Sequence, residues 1–419
     1  MPAMLPERVE TLIIGGGQAG LTMSHMLSKR GRPHLVLERH RIAERWRSAR
    51  WDGLRFQAPN WNVTLPDFPF PHTDPNGYAS HLEIADFIAD YAAFIAAPVR
   101  CGVAVTSLRW RPGAAVLVAE TPGHTFHASS VVVATGAFQR PVVPDILPEI
   151  KGIVQMHAVQ YRNPEQLPDG AVLVVGAGNS GGQIAEELLR AGRRVFFSIG
   201  KHRRVPRDYR GRNLHWWMNV LGTYETTPEQ RGPDRSPMVL TGAYGGHTVD
   251  YRRFAEPGMV LLGRVESAHD GVLRIAPGLH DSLAHGDAAY IAFLDAADAH
   301  VRREGLDLPE DPDARLVTPN PPALDAPPIR QLDLRASGIG TVIWATGYAP
   351  DFGWIDAPVL DARGVPVHRR GVTDVPGLYF LGLAFLSKFG SSFLQGVGDD
   401  ADRLADHIAG RSEPIMENR

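Results

Sequence analysis

Two clusters of glycines carry the clearest chemistry in the chain. Gly15-x-Gly17-x-x-Gly20 and Gly176-x-Gly178-x-x-Gly181 share one spacing. In each, the first glycine allows a tight turn, the second lets a pyrophosphate approach the backbone, and the third lets a helix pack closely on a strand. Gln18 and Ala19 fill the remaining positions of the first turn, Asn179 and Ser180 those of the second. The unpaired N–H groups of a following helix would face the phosphates. The residues beyond each turn differ in charge. Glu38, followed by Arg39, closes the first unit, and a carboxylate there accepts hydrogen bonds from both ribose hydroxyls and repels a 2′-phosphate. The second unit ends at Ser198 without an acid and runs into Lys201, His202, Arg203 and Arg204, with Arg207 just beyond. Guanidinium forks suit a 2′-phosphate, so this site is expected to prefer NADPH over NADH.

The elements around these residues read as repeated strand, turn and helix. The apolar run from Val9 to Ile14 enters the first glycine cluster, Ala19 to Ser28 follows as a helix, and Pro33 to Glu38 is a second strand. Ala171 to Ser198 repeats the pattern with AVLVV, GAGNSG, a helix and RRVFFS. Between them lie a Trp/Pro-rich stretch, a helix from Ser80 to Ile95, a short β region from Val99 to Glu120 and a strand from Val131 to Ala134. A strand from Thr341 to Ala345, the run VPGLYFLGL and a helix from Val397 to Ala409 complete the chain. The expected fold is α/β: two Rossmann-type nucleotide-binding domains, the second inserted into the first, with residues 1–165 and 336–419 forming one domain and 166–335 the other.

Bulk properties exclude other classes. The 419 residues carry a formal net charge of −3, 44% hydrophobic and 21% charged residues. That balance suits a soluble globular protein and offers no broad basic surface for nucleic acid or anionic lipid. Cys101 is the only cysteine, so no internal disulfide, CxxC redox pair or thiolate metal cluster can form. No signal-peptide core and no run of transmembrane length is present, and a cytoplasmic protein without membrane contact is expected. A homodimer is compatible with all of this.

Two turns in this order, with Ala134-Thr135-Gly136 and Ala345-Thr346-Gly347-Tyr348 after the later strands, resemble the flavin-containing monooxygenases and their bacterial relatives. The segment Gly152 to Arg162, GIVQMHAVQYR, resembles that family's identifying motif through His157, Tyr161 and Arg162. Ile150 replaces the usual leading phenylalanine, and Gly152 stands one residue farther from His157 than in the family pattern. Tyr161-Arg162 leans toward heteroatom oxidation rather than Baeyer–Villiger chemistry, and His157 fits a core or hinge role better than acid/base work.

The resemblance implies FAD at the first turn, NADPH at the second, and Thr135, Gly136, Thr346 and Gly347 beside the cofactors. It also implies that Trp46-Arg47 lies against the FAD and that Val105, in a short β segment, meets the adenine. Gln57 would bring an amide to the reactive edge of the flavin, with Asn60 a nearby substitute, and Gln395 in a closing helix would lie near the ring. The implied reaction is reduction of FAD by NADPH, formation of a C4a-(hydro)peroxyflavin from O₂, and oxygenation of a small nucleophile containing nitrogen or sulfur, or of an indole or keto-acid type. The alternatives are an NADPH oxidase or reductase without organic oxygenation, and a non-catalytic protein that senses the two cofactors.

Overall fold

The computed structural model describes residues 5–411. Its first sheet runs, edge to edge, Ile355–Asp356, Ser107–Arg111, Val116–Glu120, Thr125–Val133, Glu7–Ile14, His34–Glu38 and Val99–Cys101; Leu378–Phe380 also pairs with Thr125–Val133. The strands flanking Glu7–Ile14 are parallel to it, and Val116–Glu120 makes an antiparallel meander with its neighbours. Leu12, Ile13, Val131 and Val132 are fully buried. Near-continuous apolar runs of this kind are what a parallel strand covered on both faces requires.

The second sheet is wholly parallel, in the order Val154–His157, Ile339–Trp344, Ala171–Val175, Val195–Ser198 and Val260–Leu262. All its strands fall between those of the first sheet, so one domain is nested in the other as expected. The boundaries at 165/166 and 335/336 need correction. Val154–His157 pairs with Ile339–Trp344, and both belong to the inserted domain. The chain crosses where Arg140–Pro141 pairs with Tyr348–Ala349, a short antiparallel hinge.

Local signals account for the main helices. Ser80 caps His81–Phe94 in a capping box with Glu83, whose backbone N–H donates to Ser80 Oγ at 3.2 Å while its carboxylate accepts from Ser80 N at 2.7 Å. Val397–Ala409 returns to the first domain and packs on Gln18–Lys29, pinned by Arg30 to Asp402 and Asp406 at 2.9 and 2.7 Å. The long helix Leu279–Glu304 was not foreseen in the sequence. No helix among the described residues is long and apolar enough to cross a membrane.

Candidate functional site

The two glycine turns are near-copies. Gly15 and Gly176 have φ of +117° and +115°, where L side chains are strained, and each turns beneath a carbonyl of the next strand. A Cβ on Gly20 would lie 1.9 Å from Gly15 O, and one on Gly181 would lie 1.8 Å from Gly176 O. Close packing therefore demands both glycines. Gly17 and Gly178 are the N-caps of Gln18–Lys29 and Asn179–Arg190, have ordinary extended backbones, and face open space with no protein atom within 4 Å of an added Cβ. Neither helix start is capped by a side chain. Two helix N-termini without side-chain caps, beside two turns that leave room for a ligand, fit two pyrophosphates.

Glu38 ends its strand beside the first turn, accepting from Gly16 N at 2.7 Å and His40 N at 2.9 Å, with Arg39 exposed next to it. At the second turn Ser198 is buried, donates to Gly263 O at 3.0 Å and so braces the sheet rather than facing a ribose. The basic run is divided by burial. Lys201 is exposed, and half-buried Arg203 donates to Ser236 O at 3.1 Å. Arg204 requires a correction: it is 5% exposed, paired with Asp250 at 2.6 Å and Asp287 at 2.9 Å, and lies over the Tyr290 ring at 4.2 Å. Both carboxylates also hold Arg252, so the charges of this buried cluster cancel and none is left for a phosphate. Arg207 is a second correction. It points away from this loop to the junction of the domains, where its Nη1 donates to Gln57 O at 2.9 Å and its Nη2 to Thr241 O.

That junction gathers residues the motifs did not single out. His215 Nε2 lies 3.2 Å from Gln57 O, and its Nδ1 accepts from Tyr224 Oη at 2.5 Å and from Asn62 Nδ2 at 3.3 Å. Burial, and then the Arg207 charge, hold the imidazole near a pKa of about 4, so it is neutral with the proton on Nε2. The Gln395 side chain also bonds Tyr224. The Gln57 amide makes no hydrogen bond to any described residue and is half-buried beside this cluster. Asn60 Nδ2 donates to Asp74 O at 2.9 Å and staples its own loop, while its Oδ1 is buried without a hydrogen-bond partner. Loop 53–57 sits so close to the inserted domain that a Cβ on Gly242 would meet Phe56 O at 1.9 Å.

Residues 12–217 match the family model described as pyridine nucleotide-disulphide oxidoreductase. A CzcO-like oxidoreductase of Geobacillus kaustophilus is 33% identical over 404 residues, covering 96% of this chain and 98% of that protein. The chain belongs to the CzcO-like oxidoreductases. Its fold resembles that of a flavin-containing monooxygenase from Stenotrophomonas maltophilia (TM-score 0.60, 19% identity, 96% of this chain and 98% of that one). It resembles equally an ornithine N-hydroxylase of Kutzneria sp. 744 solved with FAD, NADP⁺ and ornithine (TM-score 0.61, 16% identity, 96% and 99%). These likenesses agree with the resemblance drawn from the motifs.

In this CzcO-like oxidoreductase the remaining motif residues serve the hinge. His157 is buried, bonds Gly347 O through Nε2 at 3.0 Å, and accepts from Val159 N at Nδ1, 3.1 Å. Tyr161 donates to Glu187 at 2.7 Å, and Arg162 donates to Ser48 O at 2.6 Å, tying the inserted domain to loop 48–52. Thr346 Oγ1 donates to Val142 O, whereas Thr135 and Gly136 anchor Gln139 at 2.9 Å each. Trp46 packs edge-on against Phe56 and under Arg50, while Arg47 pairs with Asp86 at 2.9 Å, a partner on the helix His81–Phe94. Gln18 Nε2 donates to Ser392 O at 2.8 Å and so joins the first turn to the closing segment. Val105 lies in the loop between Val99–Cys101 and Ser107–Arg111 rather than in a strand. Cys101 is exposed and, as the only cysteine, leaves no dithiol to relay electrons. Trp217 is fully buried, donates to Tyr209 O at 2.9 Å and is packing.

Proposed function

We propose that this oxidoreductase is an FAD- and NADPH-dependent monooxygenase that oxygenates a small nucleophilic substrate. The observation that carries the reading is the pair of matching pyrophosphate cradles with unlike ribose ends, Glu38 at the first and the Lys201/Arg203 edge at the second. The carboxylate suits an unphosphorylated ribose, hence FAD, and the basic edge suits NADPH. FAD, when bound, supplies hydride acceptance from NADPH and activation of O₂. The protein's share is to hold both nucleotides, exclude water and place hydrogen-bond donors. Gln57, with its amide unengaged at the junction, is the donor for the oxygen-activating edge, and Gln395 and Tyr224 line the same region. The single cysteine supports a reducing cytoplasmic setting.

The test uses purified protein with NADPH under air and a panel of thioethers and amines. Bound FAD, steady NADPH oxidation and product carrying ¹⁸O from ¹⁸O₂ are expected. Return of all NADPH electrons as H₂O₂ across the panel would leave an oxidase, and no NADPH oxidation would leave a cofactor-binding protein without turnover.

A further inference from the structure

Hydrogen bonds outside the motifs join the second glycine turn to the junction of the domains. Asn179 is the first residue of the helix Asn179–Arg190, directly after Gly178. Its Oδ1 accepts from Leu240 N at 2.8 Å, and its Nδ2 engages no described residue. Gln183, one turn farther along the same helix, donates from Nε2 to Leu240 O at 3.1 Å. Leu240 is therefore held at its N–H and at its carbonyl by the helix start that faces the cradle. Thr241 follows, fully buried, and its carbonyl accepts from Arg207 Nη2. Arg207 in turn donates from Nη1 to Gln57 O at 2.9 Å, and Tyr78 bonds the same guanidinium. Three hydrogen bonds and one peptide bond thus lead from the second turn to the backbone of Gln57 in the other domain.

The path is buried where it crosses between the domains. Arg207 is 3% exposed, so its guanidinium has given up water for these acceptors. A charge-assisted bond in such surroundings fixes the peptide it reaches instead of competing with solvent. The fit leaves little slack: a Cβ on Gly242, next to Thr241, would meet Phe56 O at 1.9 Å, and one on Gly246 would meet the Tyr78 ring at 2.5 Å. A shift at Leu240 and Thr241 would therefore press on 56–57. His215 provides a contrast, because it also reaches Gln57 O, at 3.2 Å, but its other ring nitrogen meets Tyr224 and Asn62, neither of which bonds the helix Asn179–Arg190.

We propose that Arg207 is a positioning residue that couples the two domains: nucleotide in the second turn fixes Leu240 and Thr241, and Arg207 passes that order to the Gln57 peptide. Loop 53–57 is then steadied while NADP(H) is bound. This rests on the reading of the second turn as the NADPH site and adds how that site acts on Gln57. Coupling of this kind is carried by a contiguous set of bonds and is shown only by breaking one of them.

Amide hydrogen exchange across 53–57 reads the loop directly, in the purified flavoprotein with and without saturating NADP⁺. The Leu54 and Phe56 N–H groups donate to Trp51 O at 3.1 Å and Ala79 O at 2.6 Å, so their exchange requires the loop to open. NADP⁺ is expected to slow it at least about fivefold in the wild type and less than about twofold in Arg207→Met, while His215→Gln keeps the protection. Equal exchange of the wild type with and without NADP⁺, undiminished protection in Arg207→Met, or protection lost as fully in His215→Gln would each overturn the proposal, the last by making any contact on Gln57 O sufficient. Titration of each protein with NADP⁺ separates absent binding, which sinks the site reading, from absent protection, which sinks the coupling. Should Arg207→Met not fold, Asn179→Ala decides from the other end of the path, since alanine suits the helix and the bond to Leu240 N is lost. Protection that persists there would overturn the proposal. A second readout is the share of NADPH electrons recovered as H₂O₂. Arg207→Met should raise it several-fold on its own and not at all in Gln57→Leu, whereas effects that multiply would show that Arg207 acts elsewhere. A protein that oxygenates nothing yet shows Arg207-dependent protection would sink the monooxygenase reading, and a working monooxygenase without that protection would sink only the coupling.

Discussion

The two glycine turns have the same backbone and the same steric demands, but they hand their ligands to different surroundings. At the first, Glu38 reaches back to Gly16 N at 2.7 Å and closes the site with a negative charge. At the second, Ser198 turns inward to Gly263 O, and Lys201 and Arg203 follow the strand without an ion pair among the described residues. In the proposed reading the turns bind phosphate, and the residues just beyond the second strand choose the nucleotide. The largest effect should come from filling one cradle at a time. Gly17→Ala and Gly178→Ala add a methyl where the protein has no atom within 4 Å, at φ values of −92° and −81° that alanine accepts, so both variants should fold. Gly17→Ala is expected to purify colourless, and Gly178→Ala yellow but with NADPH oxidation reduced by at least about a hundredfold, because the pyrophosphate loses its backbone contacts. Flavin absorbance and the NADPH rate check this. Loss of flavin from both variants would erase the division of labour.

The next effect separates the two arginines of the second site. Arg204→Ala leaves the buried Asp250 and Asp287 to share Arg252 alone, one cation for two carboxylates, and should cost about 3–5 kcal/mol of stability, read from urea midpoints. Arg203→Ala should leave stability nearly unchanged and raise the KM for NADPH several-fold with little change for NADH. Equal loss for both nucleotides would show that Arg203 is a solvated residue and that selectivity comes from Lys201 or elsewhere.

How much of this could be read from the chain depended on range. The turns, the helix expected over Ser80 to Ile95 and the helix Val397–Ala409 are local patterns and stood where expected. The domain boundaries did not, because Val154–His157 finds its partner in Ile339–Trp344 and nothing within either segment announces a parallel partner so distant. Arg204 looked like a phosphate ligand for the same reason: its neutralising acids, Asp250 and Asp287, come from other elements. Asn62 and His215 carried no motif at all and acquire meaning only when the inserted domain folds onto loop 53–57.

The two turns can serve one reaction only while the domains that carry them stay in register, and His215 is the group in that junction whose charge can change as the pH falls below neutral. Its folded pKa, about 4, lies below the ordinary 6.5. The unfolded chain therefore takes up the proton first, and the stability contribution is intact above pH about 6.5 and falls as pH drops toward 4, by up to about 3 kcal/mol. Other buried histidines such as His157 and His202 are lowered by burial too, so the slope must be assigned by difference. His215→Gln should lose less stability between pH 7.5 and 5 than the wild type. Parallel pH slopes would mean that the junction tolerates a charged imidazole.

The smallest effect is the most specific, because it should spare both turns. Gln57 enters the junction twice: its carbonyl receives Arg207 Nη1 at 2.9 Å and lies 3.2 Å from His215 Nε2, and its side-chain amide engages no described residue. Gln57→Leu removes the amide and keeps the carbonyl, so the domain contact should survive. If the amide donates to activated oxygen, reduction of the flavin by NADPH under anaerobic conditions should be nearly intact while, under air, H₂O₂ rises and oxygenated product falls. Loss of one donor to a full oxyanion costs about 2.7–4 kcal/mol, and a less charged oxygen should lose less, so a shift in coupling of about tenfold is the expected scale. Asn60→Leu provides the contrast, since its Nδ2 donates to Asp74 O within its own loop and its loss should disturb the loop without changing the partition of electrons. Unchanged coupling in Gln57→Leu with a normal reduction rate would remove this residue from the flavin edge and leave the Tyr224 and Gln395 side of the junction as the source of the donor.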